Sequence, residues 1–165
     1  MLTIPDPGFA GDAGGVDPGL ASAFAAYEAD PAALKNHTIV VLQDARFLVP
    51  VMAQVGEVEY DDQGLAHDKS SDMSTVLMRG QDGRLALLAF TSTESLRMWN
   101  PQARPVPVPA AKAAAAAVHD NASAIVIDVA GPVTFVVAED DLRSLARGYT
   151  LVQLDDRFAW AKPSA

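Results

Sequence analysis

The sequence predicts a mixed α/β domain of the α+β kind: two β-hairpins and an N-terminal strand pair in one sheet, with helices packed against it. Three observations point there. Two apolar runs flank the short Gly80-Gln81-Asp82-Gly83 connection, the pattern of a hairpin, and two more flank Ala130-Gly131-Pro132. Helix start and stop signals fall between these pairs, so strands come in twos and do not alternate strictly with helices. Half of the 165 residues are hydrophobic and a fifth are charged, enough apolar surface for one self-sufficient core.

Residues 1–16 are rich in Gly, Pro and Asp, a composition that loses backbone entropy on ordering and offers little apolar area in return. They are expected to form a flexible tail, with a single domain over 17–165. Asp17-Pro18 supplies an N-cap and a first helical residue, and Leu20, Phe24 and Tyr27 follow at helical spacing. Asp30-Pro31 starts a further turn that is expected to end before Asn36. The β-branched run Thr38-Ile39-Val40-Val41-Leu42 predicts a strand buried on both faces. Phe47 to Met52 predicts its neighbour, placed at an edge or bulged at Pro50, which has no amide to donate. Residues 55–60 carry a weaker strand pattern, and Asp61 to Asp72 reads as a polar loop.

Ser74–Arg79 and Arg84–Phe90 form the first hairpin. Thr91, with Glu94 three residues on, has the form of a reciprocal capping box for a helix that carries Leu96 and Trp99 and ends at Asn100-Pro101. Proline alternates with valine from Arg104 to Pro109, which predicts an extended connector in place of a central strand. The alanines from 110 to 118 have the strongest helix propensity in the chain. Ala124–Val129 and Val133–Val137 form the second hairpin. Glu139, Asp140 and Asp141 favour a helix N-terminus, and Gly148 ends that helix. Tyr149 to Ala165, with Leu151, Leu154, Phe158 and Trp160, predicts a docked tail.

The run Asp82-Gly83-Arg84-Leu85-Ala86-Leu87-Leu88-Ala89-Phe90-Thr91-Ser92-Thr93-Glu94-Ser95-Leu96-Arg97-Met98-Trp99 resembles the SseB protein N-terminal domain, whose members show a "dG…lpvFTs.e.l..w" pattern. Ala124 to Gly148 is similar to the second half of that family, and the resemblance spans roughly 20 to 148. One departure is Gly131-Pro132, where many relatives have Asn-Pro. Full-length relatives can carry a second, C-terminal SseB domain, for which 165 residues leave no room. The family's name refers to enhanced serine sensitivity, and some of its members are tied to type III secretion. Neither association states a biochemical activity, so the resemblance carries over no catalytic residue.

The charge excludes several function classes. A net charge of −9 and no cluster of Lys and Arg argue against nucleic acid and anionic membrane surfaces as partners. No apolar run approaches the length of a membrane span, and the first residues lack a signal-peptide pattern, so a soluble, cytoplasmic protein is expected. Without cysteine there are no disulfides, thiolate metal sites or cysteine nucleophiles. His37, His67 and His119 are dispersed, and Asp61, Asp62, Asp68 and Asp72 do not follow a calcium-loop spacing, so no metal and no cofactor is expected. No G-x-S-x-G, Rossmann or P-loop pattern is present.

Two candidate sites remain. Thr91, Ser92 and Thr93 at a helix start, helped by Arg97, could hold an anion on free amides and hydroxyls, although helix capping explains the same residues. Trp99, Arg104, Val106 and Val108 could form a pre-organised apolar surface for a protein partner or for self-association. The alternatives there are a core tryptophan and a connector whose prolines protect an edge. The function expected is a non-enzymatic protein-binding or accessory module, with a small-ligand-binding domain or an enzyme of unrecognised site as the alternative.

Overall fold

A computed structural model describes residues 11–53, 58–60, 66–68 and 73–164 of the chain. It confirms the mixed α/β class, but the strands fall into separate sheets and not the single one expected.

Asp17 precedes α1 (Pro18–Ala29), which buries Leu20 and Phe24, and Asp30 caps α2 (Pro31–Leu42) by accepting from the Ala33 amide. The strand expected at 38–42 is the second half of α2. Its β-branched residues carry a small helix penalty, which the burial of Ile39 and Leu42 at 0% exposure outweighs. Thr38 is accommodated by giving its hydroxyl back to the Leu34 carbonyl at 2.8 Å. The N-terminal strand pair is therefore a helix followed by a single strand.

That strand, β1 (Arg46–Ala53), is interior and its register runs unbroken through Pro50, contrary to the edge or bulge expected there. On one side it pairs with β7 (Arg104–Pro109), and on the other with β4 (Met73–Thr75) over Val51–Ala53. Leu48 exchanges backbone hydrogen bonds with Phe90 at 2.7 and 2.8 Å on the side away from β7. By alternation Pro50 points to that same side, between the Phe90 contact and β4, where the register gives it no partner and no amide is needed.

The Pro-Val segment is a paired edge strand, not a connector. Because β7 alternates, Pro105, Pro107 and Pro109 all turn their missing amides away from β1, while Arg104, Val106 and Val108 keep theirs for it. Spacing prolines by two preserves one ladder and removes the outward donors that another strand would use.

β2 (Val58–Tyr60) and β3 (Ala66–Asp68) form a small antiparallel pair, so part of the segment expected as a polar loop is strand; the loop expectation for Asp61, Asp62 and Asp72 lies outside the described residues. β5 (Leu77–Arg79) and β6 (Leu85–Ala89) form the first expected hairpin, closed by Gly83 at φ 83°. β6 continues through Phe90 into α3 (Thr93–Trp99). Its cap lies one residue later than expected: Ser92 with Ser95, not Thr91 with Glu94. After β7, α4 (Ala110–His119) leads to β8 (Ala124–Ile127), which lies parallel to β6, and the antiparallel β9 (Phe135–Ala138) completes the order β5-β6-β8-β9. α5 (Glu139–Ala146) follows with Leu142 and Leu145 buried. The expected docked tail is a hairpin, β10 (Thr150–Leu154) and β11 (Arg157–Ala161), forming a separate two-stranded sheet; Leu151 is buried, whereas Leu154 is exposed.

Strand alternation divides the core. Phe47, Val49, Leu87, Ala89, Ile125 and Ile127 meet residues of α1, α2, α4 and α5 on one face, where the alanines at 110, 113, 114 and 117 let α4 lie close. Leu48, Leu88, Phe90 and Val126 meet Leu96 of α3 on the other.

Candidate functional site

The parallel pair β6 and β8 ends at Ala89 and Ile127, and the chain leaves both strands at the same edge. Ligand sites of α/β sheets favour the carboxyl ends of parallel strands, because loops splay there and leave a crevice. Here the residues just beyond the ends are Thr91 and Asp128, exposed by 4% and 3%. Asp128 adopts φ 54°, a conformation that Asp tolerates better than most residues, and its amide stays bonded to the Ala89 carbonyl at 3.0 Å. Its carboxylate accepts from the Thr91 amide at 2.9 Å and the Thr91 hydroxyl at 2.7 Å. Its carbonyl accepts from the Gly131 amide and the Thr134 hydroxyl, both at 2.9 Å, which fixes the turn into β9. Burial pushes the Asp128 carboxyl above the usual carboxylate range, and the hydrogen bonds from Thr91 and Ser95 oppose that shift.

Ser92 and Ser95 close the start of α3: the Ser95 amide donates to the Ser92 hydroxyl at 3.1 Å, and the Ser92 amide to the Ser95 hydroxyl at 3.3 Å. Above these four residues lies a cleft of about 540 Å³. Ala21, Phe24, Ala25 and Glu28 of α1 form one wall, Glu94 and Met98 of α3 another, and Pro132 and Val133 a third. Val16 contributes from the segment before α1.

Of the tail expected over 1–16, residues 1–10 lie outside the described residues, and the segment from Asp12 to Gly15 is bonded to the body. Arg46 donates from Nε to Asp12 at 2.6 Å, from one terminal nitrogen to Asp12 and the Gly15 carbonyl at 2.9 and 2.6 Å, and from the other to the Thr91 carbonyl at 2.5 Å. The Thr93 amide donates to the Gly14 carbonyl at 2.8 Å. The Arg46 guanidinium and the Gly14 amide lower the Asp12 pKa to about 2.

The residues singled out for anion binding are placed as follows. The Thr91 amide and hydroxyl face the carboxylate of Asp128, Ser92 serves the cap, the Thr93 amide is given to Gly14, and Arg97 is exposed outside the cleft lining. The space where an anion would meet Thr91 already holds a carboxylate.

The protein-binding candidates fall on two faces. Trp99 is half-buried with its ring 5.6 Å from Phe90, in the α3-side cluster. Val106 and Val108 stand opposite Val49 and Phe47, whose side chains face the other helices. Val108 is half-buried there, Val106 is 40% exposed and Arg104 is exposed. The β-sheet thus separates Trp99 from both valines.

His37 packs edge-on against Phe158 at 4.9 Å, and among the described residues no three His, Asp or Glu side chains are placed close enough together to hold a metal ion. Sequence reasoning missed Asp128 and Glu28. The available signal was an acidic residue directly after the buried run Ala124–Ile127, which becomes meaningful only once β8 is known to lie parallel to β6.

Sheet, crossover and cleft define a small α/β domain with a crevice at the ends of its parallel pair. The family model of the SseB protein N-terminal domain matches residues 20–144, and the chain belongs to that family. The match covers most of α1 through most of α5, including every wall of the cleft except Val16, and leaves the β10–β11 hairpin outside. No curated protein matches the chain, and no solved structure matches it. Among the described residues no helix is long and apolar enough to cross a membrane.

Proposed function

We propose that this SseB-family domain is a non-enzymatic binding module and that the cleft between α1 and α3 is its ligand site. The observation that carries this reading is the meeting of Thr91, Ser92, Ser95 and Asp128 on the floor of a mainly apolar cleft of about 540 Å³. Small-ligand sites combine that size with a few convergent polar groups in an apolar surround. Catalysis by a serine needs a base that frees its hydroxyl. Ser92 and Ser95 are bonded to each other and Asp128 is bonded to Thr91, which favours binding over chemistry.

A fragment screen followed by amide chemical-shift mapping tests the reading. Hits are expected to move resonances of residues 21–28, 91–98 and 128–134. Hits that map only elsewhere would remove the cleft as the site.

A second reading, contact with a protein partner or a second copy, is favoured by Val106, 40% exposed on an edge strand that prolines hold extended. A pull-down with wild type and Val106→Ser tests it, since a partner bound there should be lost from the variant alone.

A further inference from the structure

We infer that the cleft takes a small organic cation: an ammonium or guanidinium group carried on an apolar body of amino-acid size. The inference rests on the cleft being the ligand site and adds the ligand's chemical class. Three carboxyl groups line the cleft, those of Glu28, Glu94 and Asp128, and among the described residues no Lys, Arg or His does. Arg97, next to Met98 in α3, is exposed and outside the lining, and two other cations, Arg46 and Lys35, are engaged elsewhere. Arg46 bonds Asp12, Gly15 and the carbonyl of Thr91, and Lys35 pairs with Asp141 at 3.2 Å.

An anion entering the cleft would meet the exposed carboxylates of Glu28 and Glu94 above the buried carboxyl of Asp128, whereas a cation would be attracted by them, and the energy per pair rises as the ligand displaces water. The Ser92 and Ser95 hydroxyls both donate and accept, so they set no preference of sign. Most of the remaining lining is apolar: Phe24 and Val133 inside, Met98 at 56% exposure on the rim. A bare metal ion or ammonium would leave that surface wet, so the cation must carry hydrocarbon. The cleft can hold a whole small molecule, and Asp128 lies on its floor at 3% exposure, beyond a shallow surface contact. Both features favour a free ligand over a flat protein surface.

Three probes of one shape separate the possibilities: pentylammonium, pentanol and hexanoate, titrated into the full chain by calorimetry and amide chemical-shift mapping. Pentylammonium is expected to bind roughly tenfold more tightly than hexanoate and to move the Thr91, Ser95 and Asp128 amides. Raising the salt concentration should weaken it. Glu28→Gln with Glu94→Gln, both exposed positions at which the fold has little at stake, should lower its affinity several-fold, while Asp156→Asn, away from the cleft, should not. Equal or tighter binding of hexanoate or pentanol in the cleft would overturn the cation while leaving the cleft as the site. If no probe binds there but fragments still map to the cleft, the cation inference again falls alone. If no fragment maps there either, both readings fall.

Discussion

Thr91 gives both its backbone N–H, at 2.9 Å, and its hydroxyl, at 2.7 Å, to the carboxylate of Asp128, and neither residue is more than 4% exposed. The pair joins the segments that leave two parallel strands, so it holds the cleft floor together. Asp128→Ala would leave the buried Thr91 N–H without its acceptor and place alanine at φ 54°, for an expected loss of about 2–4 kcal/mol in a urea titration. Asp128→Asn keeps an acceptor and a residue tolerant of that φ, and should lose less. The Asp128 pKa is raised from an ordinary 3.8, so the ionised form is disfavoured by folding. Its contribution is greatest below pH 3.8 and declines as pH rises through the folded value. The stability of wild type relative to Asp128→Asn should therefore improve as the solution is acidified. A relative stability that falls on acidification would contradict the burial-driven shift.

Leu88 is 1% exposed and packs with Phe90, Leu96 and Val126 on the α3 side of the sheet. Leu88→Ala is expected to destabilise by about 2–5 kcal/mol, the transfer of the lost methyl groups plus the cavity left behind. A loss below about 1 kcal/mol in denaturant would mean that this face collapses easily and is not a specified core.

Where local signals agreed with tertiary packing, the elements could be read from residues alone. Asp17-Pro18, the glycines at 80 and 83, the alanines from 110 and the acidic start of α5 each act within a few positions, and each element appears where they point. Thr38–Leu42 failed because β-propensity records how well a side chain packs on a sheet, and here Ile39 and Leu42 pack as a helix face. Pro50 and the Pro-Val strand failed for another reason: whether a missing amide matters depends on which neighbour it faces, a property of register. The cleft was least visible of all. Thr91 and Ser92 carried a local signal, but Asp128 lies 37 residues from Thr91 and Glu28 lies on the first helix. Only the parallel crossover brings them together.

The two valines of β7 can be separated experimentally. Val108 is half-buried against the main core, and Val108→Ser should destabilise by about 1–2 kcal/mol. Val106, 40% exposed, should tolerate serine within about 0.5 kcal/mol. Melting temperatures of both variants check this ordering. Equal effects would place Val106 in the core and remove the reason for regarding that edge as a contact surface.

The strap before α1 makes a prediction of opposite pH sign. Arg46 holds Asp12 ionised, with its pKa lowered from 3.8 to about 2. A depressed carboxyl stabilises the fold fully above pH 3.8 and loses that contribution as pH falls toward 2. The pair still meets solvent, with side-chain exposures of 12% and 22%, so Asp12→Asn should lose no more than about 1 kcal/mol at neutral pH. The gap to wild type should close as acid protonates Asp12. Gly14 supplies an independent way to remove the same contact: at φ 81° its added Cβ would stand 2.2 Å from the Thr93 hydroxyl oxygen, so Gly14→Ala should release the segment. If the strap acts as a unit, Asp12→Asn adds little in a Gly14→Ala background, because the ion pair is already gone. Urea titrations of the two single variants and the double variant, run from pH 7 to pH 3, measure both effects. A gap that stays constant with pH, or single losses that simply add, would show that Asp12 and Gly14 do not belong to one contact.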